Sequence, residues 1–362
     1  MQLLKIYWLV LLLCLIVSPG SFAALNITFI NPGFAKQHDT SANSTGEFWY
    51  KVASSMQAAA NDLDINLTIH FASRNHIEMK ALIAQAIKSK PDYLILVDEK
   101  KVLSDYLVSI KTNNIPIYFL LNRPDEVKLR MLKQHNIDVI GSVVPGNRDG
   151  GYKLAQALYQ QHQKRHVGKM NILALLGDHT TPAAIKRRAG LDDFLATHPD
   201  VTIVAEDVAN WSMDQSFSKT LAFLNAVPNV NAIWCANDAI GFGAINALNT
   251  QQRRESAVVG GFNWDKAPLT NMNLDVSMGG HVLLGAYAMI AISDEIKKPQ
   301  QFSLKHEDLT FFTEKTPKAQ QLIEHINQGK LHKIDFSKFS RSQAHPLKFT
   351  VDNLAKEIEN AL

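Results

Sequence analysis

Apolar runs of strand length alternate with amphipathic helical stretches along most of this chain, and the alternation runs through twice. In the first set, apolar runs at 25–30, 65–71, 93–97, 115–121 and 139–144 are separated by helical patterns at 47–63, 77–87 and 102–112 and by one shorter helix. Phe48, Val52, Met56, Ala60 and Leu63 recur at helical spacing and predict the first helix. The unbroken run Tyr93-Leu94-Ile95-Leu96-Val97 suits a strand covered on both faces, as in a parallel sheet. The second set reads helix 150–161, strand 171–176, helix 182–196, strand 201–204, helix 216–226, a strand around Ile233, helix 238–248 and the strand Val258-Val259. Right-handed crossovers turn each set into a doubly wound sheet. The expected fold is α/β, with two doubly wound parallel-sheet (Rossmann-like) lobes.

The turn-rich stretch Pro145-Gly146-Asn147-Arg148-Asp149-Gly150-Gly151 separates the two sets and reads as the boundary. Three crossings form the expected hinge, near 144–147, 279–281 and 303–311. The first lobe is then 24–145 plus about 281–306, and the second 146–280 plus about 307–362. The last stretch reads as a strap across the back of the lobes, because Phe311, Phe312, Ile334, Phe336, Phe339 and Leu347 call for burial. Ligands of open α/β sheets sit beyond the carboxyl ends of the strands. The loops at 31–33, 98–100, 122–124, 177–182, 237–238 and 262–264 occupy that position and are expected to line one cleft.

Residues 1–23 read as a signal peptide, with Lys5, an apolar run over 6–17 and a small-residue cleavage site before Ala24. A periplasmic location is expected. Cys14 follows Leu13, not the small residue that lipidation requires, and is expected to leave with the leader. Cys235 then stands alone in an apolar strand, where a buried inert thiol is expected and no internal disulfide can form. The formal net charge is +3 and no basic stripe interleaves with aromatics, so nucleic acid is not an expected partner. His162 and His166 are spaced i,i+4 without a third ligand nearby, and neither metal nor cofactor is expected. Asp178-His179 lies in a cleft loop but lacks a nucleophile. No G-x-S-x-G, phosphate-cradling loop or H-E-x-x-H occurs, and no enzyme activity is expected.

Four motifs in order carry a family resemblance: Ile115-Pro116-Ile117 leading to Asn122-Arg123, then Arg187-Arg188-Ala189-Gly190-Leu191, then Trp234-Cys235-Ala236-Asn237-Asp238, then Val258-Val259-Gly260-Gly261-Phe262-Asn263. Over about 25–296 the chain resembles the type I periplasmic binding proteins, the ribose/galactose-binding group that shares its fold with repressor cores of the LacI type. The resemblance implies ligand contacts from Phe48 and Trp49, Asp98, Asn122 and Arg123, Arg187, Asn237, Asn263 and His281, with Trp211 as an aromatic of the second lobe. These types suit a sugar, whose C–H face packs on aromatic rings while its hydroxyls need directed donors and acceptors. Asn122 and Asn263 stand where sugar binders of this family usually hold aspartate. The site is correspondingly more electropositive, which admits a ligand with its own acid or phosphate group. The implied protein is a monomeric receptor that closes on a small polar ligand, a sugar or sugar-like compound, and presents it to an ABC permease. The alternative partner is a sensor kinase, cyclase or chemoreceptor.

Overall fold

The computed structural model describes residues 24–35 and 45–360, so the expected signal peptide lies outside the described residues. The first sheet takes β1 (Leu25–Asn31), β2 (Ile65–Phe71), β3 (Tyr93–Leu96), β4 (Ile117–Leu120) and β5 (Val139–Pro145). Its crossovers are α1 (Phe48–Asp62), α2 (His76–Ser89), α3 (Leu103–Ser109) and α4 (Glu126–Gln134). The chain then passes through α5 (Asn147–Arg165), β6 (Met170–Leu176), α6 (Pro182–Leu195), β7 (Val201–Val208), α7 (Met213–Ala226), β8 (Ala232–Cys235), α8 (Asp238–Thr250), β9 (Val258–Phe262) and β10 (Val276–Gly279). It returns through α9 (Leu284–Lys297), β11 (His306–Leu309), β12 (Thr313–Glu314), α10 (Gln320–Asn327) and α11 (Val351–Asn360).

The sheet orders are β11-β5-β4-β3-β1-β2 and β12-β10-β9-β8-β6-β7. All neighbours are parallel except β12, which runs antiparallel to β10. The strand order reverses between β1 and β3 in one sheet and between β6 and β8 in the other, which opens a crevice beyond the strand ends of each. The expected α/β fold with two parallel-sheet lobes is present. The chain passes between the sheets at Gly146, at Gly280 (φ +100°) and over residues 310–312.

Two expectations are corrected. The stretch 145–151 is not a turn: α5 begins at Asn147. Gly151 within it serves a helix crossing. A Cβ at Gly151 would stand 2.0 Å from the Arg187 carbonyl oxygen, and one at Gly190 would stand 1.9 Å from that of Arg148. Side chains at either position would force α5 and α6 apart, and that contact fixes where Arg187 starts.

The closing segment is the second correction. Of residues 307–362, β12 and Phe312 join the second lobe, but most of the rest packs on the first. Leu322, Ile323, Ile326, Phe336, Phe339, Leu354 and Ile358 share a buried cluster with Val52 and Met56 of α1 and Met289 of α9. The reason is amphipathic pairing: α1 and α9 present apolar area that the sheet alone does not cover, and α10 and α11 bring the complementary stripes. Leu347, expected inside, is 36% exposed.

Candidate functional site

One cavity lies between the lobes at the carboxyl ends of both sheets, with about 580 Å³ of space counting its mouth. From the first lobe come Phe48 and Trp49 in the opening turn of α1, Arg74 after β2, Glu99 after β3, and Leu121 and Asn122 after β4. From the second come Asn147, Thr181, Arg187, Trp211, Asn237 and Asn263. His281 stands at a hinge crossing.

Local rules set each of these side chains. The amide of Asn31 donates to the Trp49 carbonyl at 2.9 Å. Gly33 makes room for the indole, since a Cβ there would lie 2.2 Å from that of Trp49. On the opposite wall, the Trp211 ring lies against Gly177, where a Cβ would come within 2.3 Å. Its Nε1–H donates to Asp178 at 2.8 Å. Asn237 caps α8 by accepting the Ile240 N–H at 2.9 Å, while its amide donates to the Trp211 carbonyl at 3.3 Å. Asn122 reaches across the cleft and accepts the Ala183 N–H at 3.2 Å. Arg74, Leu121, Trp211 and Asn263 on the cavity wall have positive-φ backbones (+59°, +65°, +61° and +124°), which non-glycine residues seldom adopt.

Arg187 is the electrostatic centre. Its Nε–H donates to Asn147 at 3.0 Å, and its two terminal nitrogens reach the Ala236 carbonyl at 2.6 Å and His281 Nε2 at 3.2 Å. The guanidinium lies 4.3 Å from the Phe262 ring centre and 5.2 Å from that of Phe312. Burial pulls its pKa down to about 9, partly countered by the Asp238 carboxylate, and it remains a cation at neutral pH. Burial and the neighbouring Arg187 charge hold His281 well below its usual value. A neutral ring with Nε2 accepting from Arg187 carries its proton on Nδ1. That ring stacks on Phe48 at 4.9 Å.

Eight of the ten residues expected at the ligand lie on this wall: Phe48, Trp49, Asn122, Arg187, Trp211, Asn237, Asn263 and His281. Two do not. The Asp98 carboxylate folds back to accept the Leu103 N–H at 3.0 Å, and burial, partly countered by that bond, raises its pKa to about 6. Glu99, one residue on, faces the cavity in its place. Arg123 points the other way along the β4 exit and pairs with Asp308 of β11 at 2.5 Å. Arg74 and Asn147 were absent from the expected set. Arg74 follows β2, a strand end omitted from the expected cleft loops, and Asn147 was hidden in the supposed turn.

The other sequence candidates have structural surroundings. Asp178 accepts from Thr181, Trp211 and Thr180. Burial pushes its pKa up, but those bonds outweigh it and bring the carboxylate to about 2, where it cannot act as a proton donor near neutrality. The Cys235 thiol is buried, which drives its pKa far up. The His162 and His166 rings lie 5.2 Å apart, and no cluster of three metal-ligating side chains occurs among the described residues.

Comparison with known proteins follows the same lines. A family model described as a periplasmic binding protein domain matches residues 40–278. A xylitol-binding protein of Mycolicibacterium smegmatis is 28% identical over 207 residues, 56% of this chain and 54% of the relative, so the chain spans about half the length of that relative. A D-apiose import binding protein of Actinobacillus succinogenes is 25% identical over 242 residues, 67% of this chain and 69% of the relative. The crystal structure of a periplasmic sugar-binding protein from Pseudomonas fluorescens superposes with a TM-score of 0.75 at 25% identity, covering 91% of this chain and 99% of the other. With two doubly wound lobes, three crossings and between them a cavity walled by rings and edged by polar groups, the chain belongs to the type I periplasmic binding proteins.

Proposed function

We propose that this protein is a periplasmic receptor that closes on one small polar solute, a sugar or sugar-like polyol, and presents it to an ABC permease as a monomer. The observation that carries this reading is the composition of the interlobe cavity. Trp49 and Phe48 from one lobe and Trp211 from the other supply flat apolar walls, with Arg187 and four asparagines around them. A sugar ring offers the matching chemistry, since its C–H face packs on rings and its hydroxyls exchange hydrogen bonds with amides and a guanidinium. Because contacts come from both lobes, the solute favours the closed arrangement by its differential affinity. Phe48, Trp49, Asn122, Arg187, Trp211, Asn237, Asn263 and His281 are assigned to this contact surface.

The relatives' xylitol and D-apiose point to the same ligand size, and the import role of one of them supports transport. Thermal-shift and calorimetric titration of the mature protein against pentoses, hexoses, polyols and their acid and phosphate derivatives tests the receptor role. A bound solute raises the midpoint in proportion to the logarithm of its concentration over Kd. No shift with any of these compounds would refute the reading. Transport is tested separately by uptake of the labelled solute in cells with and without the protein; equal uptake would remove the permease as its partner.

A further inference from the structure

Three ionisable side chains face the cavity: the two arginines Arg74 and Arg187, and Glu99. Glu99 lies 3.8 Å from Arg74, and that pair balances at the first lobe's end. Arg187 has no such balance. It is 4% exposed, and its hydrogen-bond partners are an amide, a backbone carbonyl and a neutral imidazole. Among the described residues no carboxylate makes an ion pair with it. The Asp238 carboxylate, whose field reaches Arg187, is held elsewhere by the Ser277 hydroxyl at 2.6 Å and the Asp265 N–H at 2.9 Å.

A guanidinium has five N–H donors, and three are engaged here. Two remain, on a cation whose face is taken by the Phe262 ring. Hydroxyl groups could accept those two bonds but could not answer the charge, and an unanswered buried cation is costly. A carboxylate does both. Its two oxygens can accept the two remaining N–H groups, and its charge completes the site.

We propose that the solute carries a carboxylate, as in an aldonic or uronic acid, and that the acid group docks on Arg187 while the carbon skeleton packs between Trp49 and Trp211. This rests on the receptor reading above. A phosphate dianion fits less well, because its second charge would meet no further unpaired cation among the described residues lining this end of the cavity.

Calorimetric titration of the mature protein with aldonates and uronates of the pentoses and hexoses, each beside its neutral aldose or alditol and a phosphate ester, tests the proposal. The acid is expected to bind at least tenfold more tightly than its neutral counterpart. Asn147→Asp supplies the missing carboxylate beside Arg187 Nε at the same reach, and is expected to reduce that preference below threefold without lowering the midpoint of the ligand-free protein. If the neutral member of each pair binds as tightly as the acid, the carboxylate assignment fails and the sugar-receptor reading stands. A phosphate ester that outbinds the acid also overturns the assignment, as does an undiminished acid preference in a folded Asn147→Asp protein. If nothing binds, both readings fall together.

Discussion

Gly151→Ala puts the helix crossing behind Arg187 to a quantitative test. In an isolated helix this exchange stabilises, because alanine loses less backbone freedom than glycine. Here the new Cβ would lie 2.0 Å from the Arg187 carbonyl oxygen, whereas ordinary van der Waals contact begins at 3.4 Å. The opposing atom is backbone in the middle of α6, so no side chain can swing away. Relief requires α5 and α6 to separate by about 1.4 Å, and overpacking of this kind costs roughly 2–3 kcal/mol. In a chain of this size that lowers Tm by about 3–4 °C. Arg187 rides on α6, so its free N–H groups are displaced too, and solute affinity should fall at least tenfold. Gly168→Ala is the control: its φ of +96° makes alanine unfavourable by about 1–2 kcal/mol, but nothing lies within 4 Å of the added carbon. It should lower Tm modestly and leave affinity intact. Calorimetric melting and titration read both quantities. A Gly151→Ala protein as stable as the parent, or one that binds solute undiminished, would refute the crossing argument.

Other changes separate neighbouring roles. Arg123→Ala should leave solute affinity within about twofold and cost at most about 1 kcal/mol, because its Asp308 partner is half exposed; a large loss of binding in titration would restore Arg123 to the site. Ile323→Ala should destabilise by about 2–4 kcal/mol in urea, because the side chain is fully packed in the first lobe's core, and a cost under 1 kcal/mol would show the closing segment to be loosely attached. Asp238 carries a pH signature. Burial, and then the Asp265 carboxylate, raises its folded pKa above the unfolded 3.8, so the folded state holds the proton longer. Its contribution therefore makes stability fall as pH rises from about 4 towards neutrality, at no more than about 1.4 kcal/mol per pH unit. Asp238→Asn should flatten that fall in urea midpoints taken between pH 4 and 8; an unchanged slope would contradict the assignment.

The architecture was legible because parallel strands buried on both faces read as unbroken apolar runs, and most of the crossover helices carry one apolar stripe. The exception is instructive. In α9, residues 284–294 are buried except Tyr287, so there is no polar face and hence no helical period to detect. Gly150 and Gly151 misled for a related reason: a glycine that admits a neighbouring ring or a passing backbone is written with the same letter as one that makes a turn.

At the cavity, strand-end reasoning located the loops but not which residue of each loop faces inward. Asn122 and Arg123 are adjacent and point apart, one across the cleft and one towards β11. After β3, the left-handed Lys100 and Lys101 reverse the chain, so that Asp98 turns back to the Leu103 N–H and Glu99 takes the wall. Such choices depend on backbone torsions that neither composition nor spacing encodes. The closing segment was legible as apolar but not as belonging to the first lobe, since its partners on α1 and α9 lie far away in the chain.

The claim beneath all of this is that one solute joins two lobes that move. Val127 on α4 and Val167 beyond α5 are exposed, one in each lobe, while Cys235 is buried, so both valines can be exchanged for cysteine and spin-labelled selectively. The account predicts that saturating solute converts a broad interlobe distance distribution, measured by pulsed electron resonance, into a single narrow one. An identical distribution with and without bound solute would contradict it.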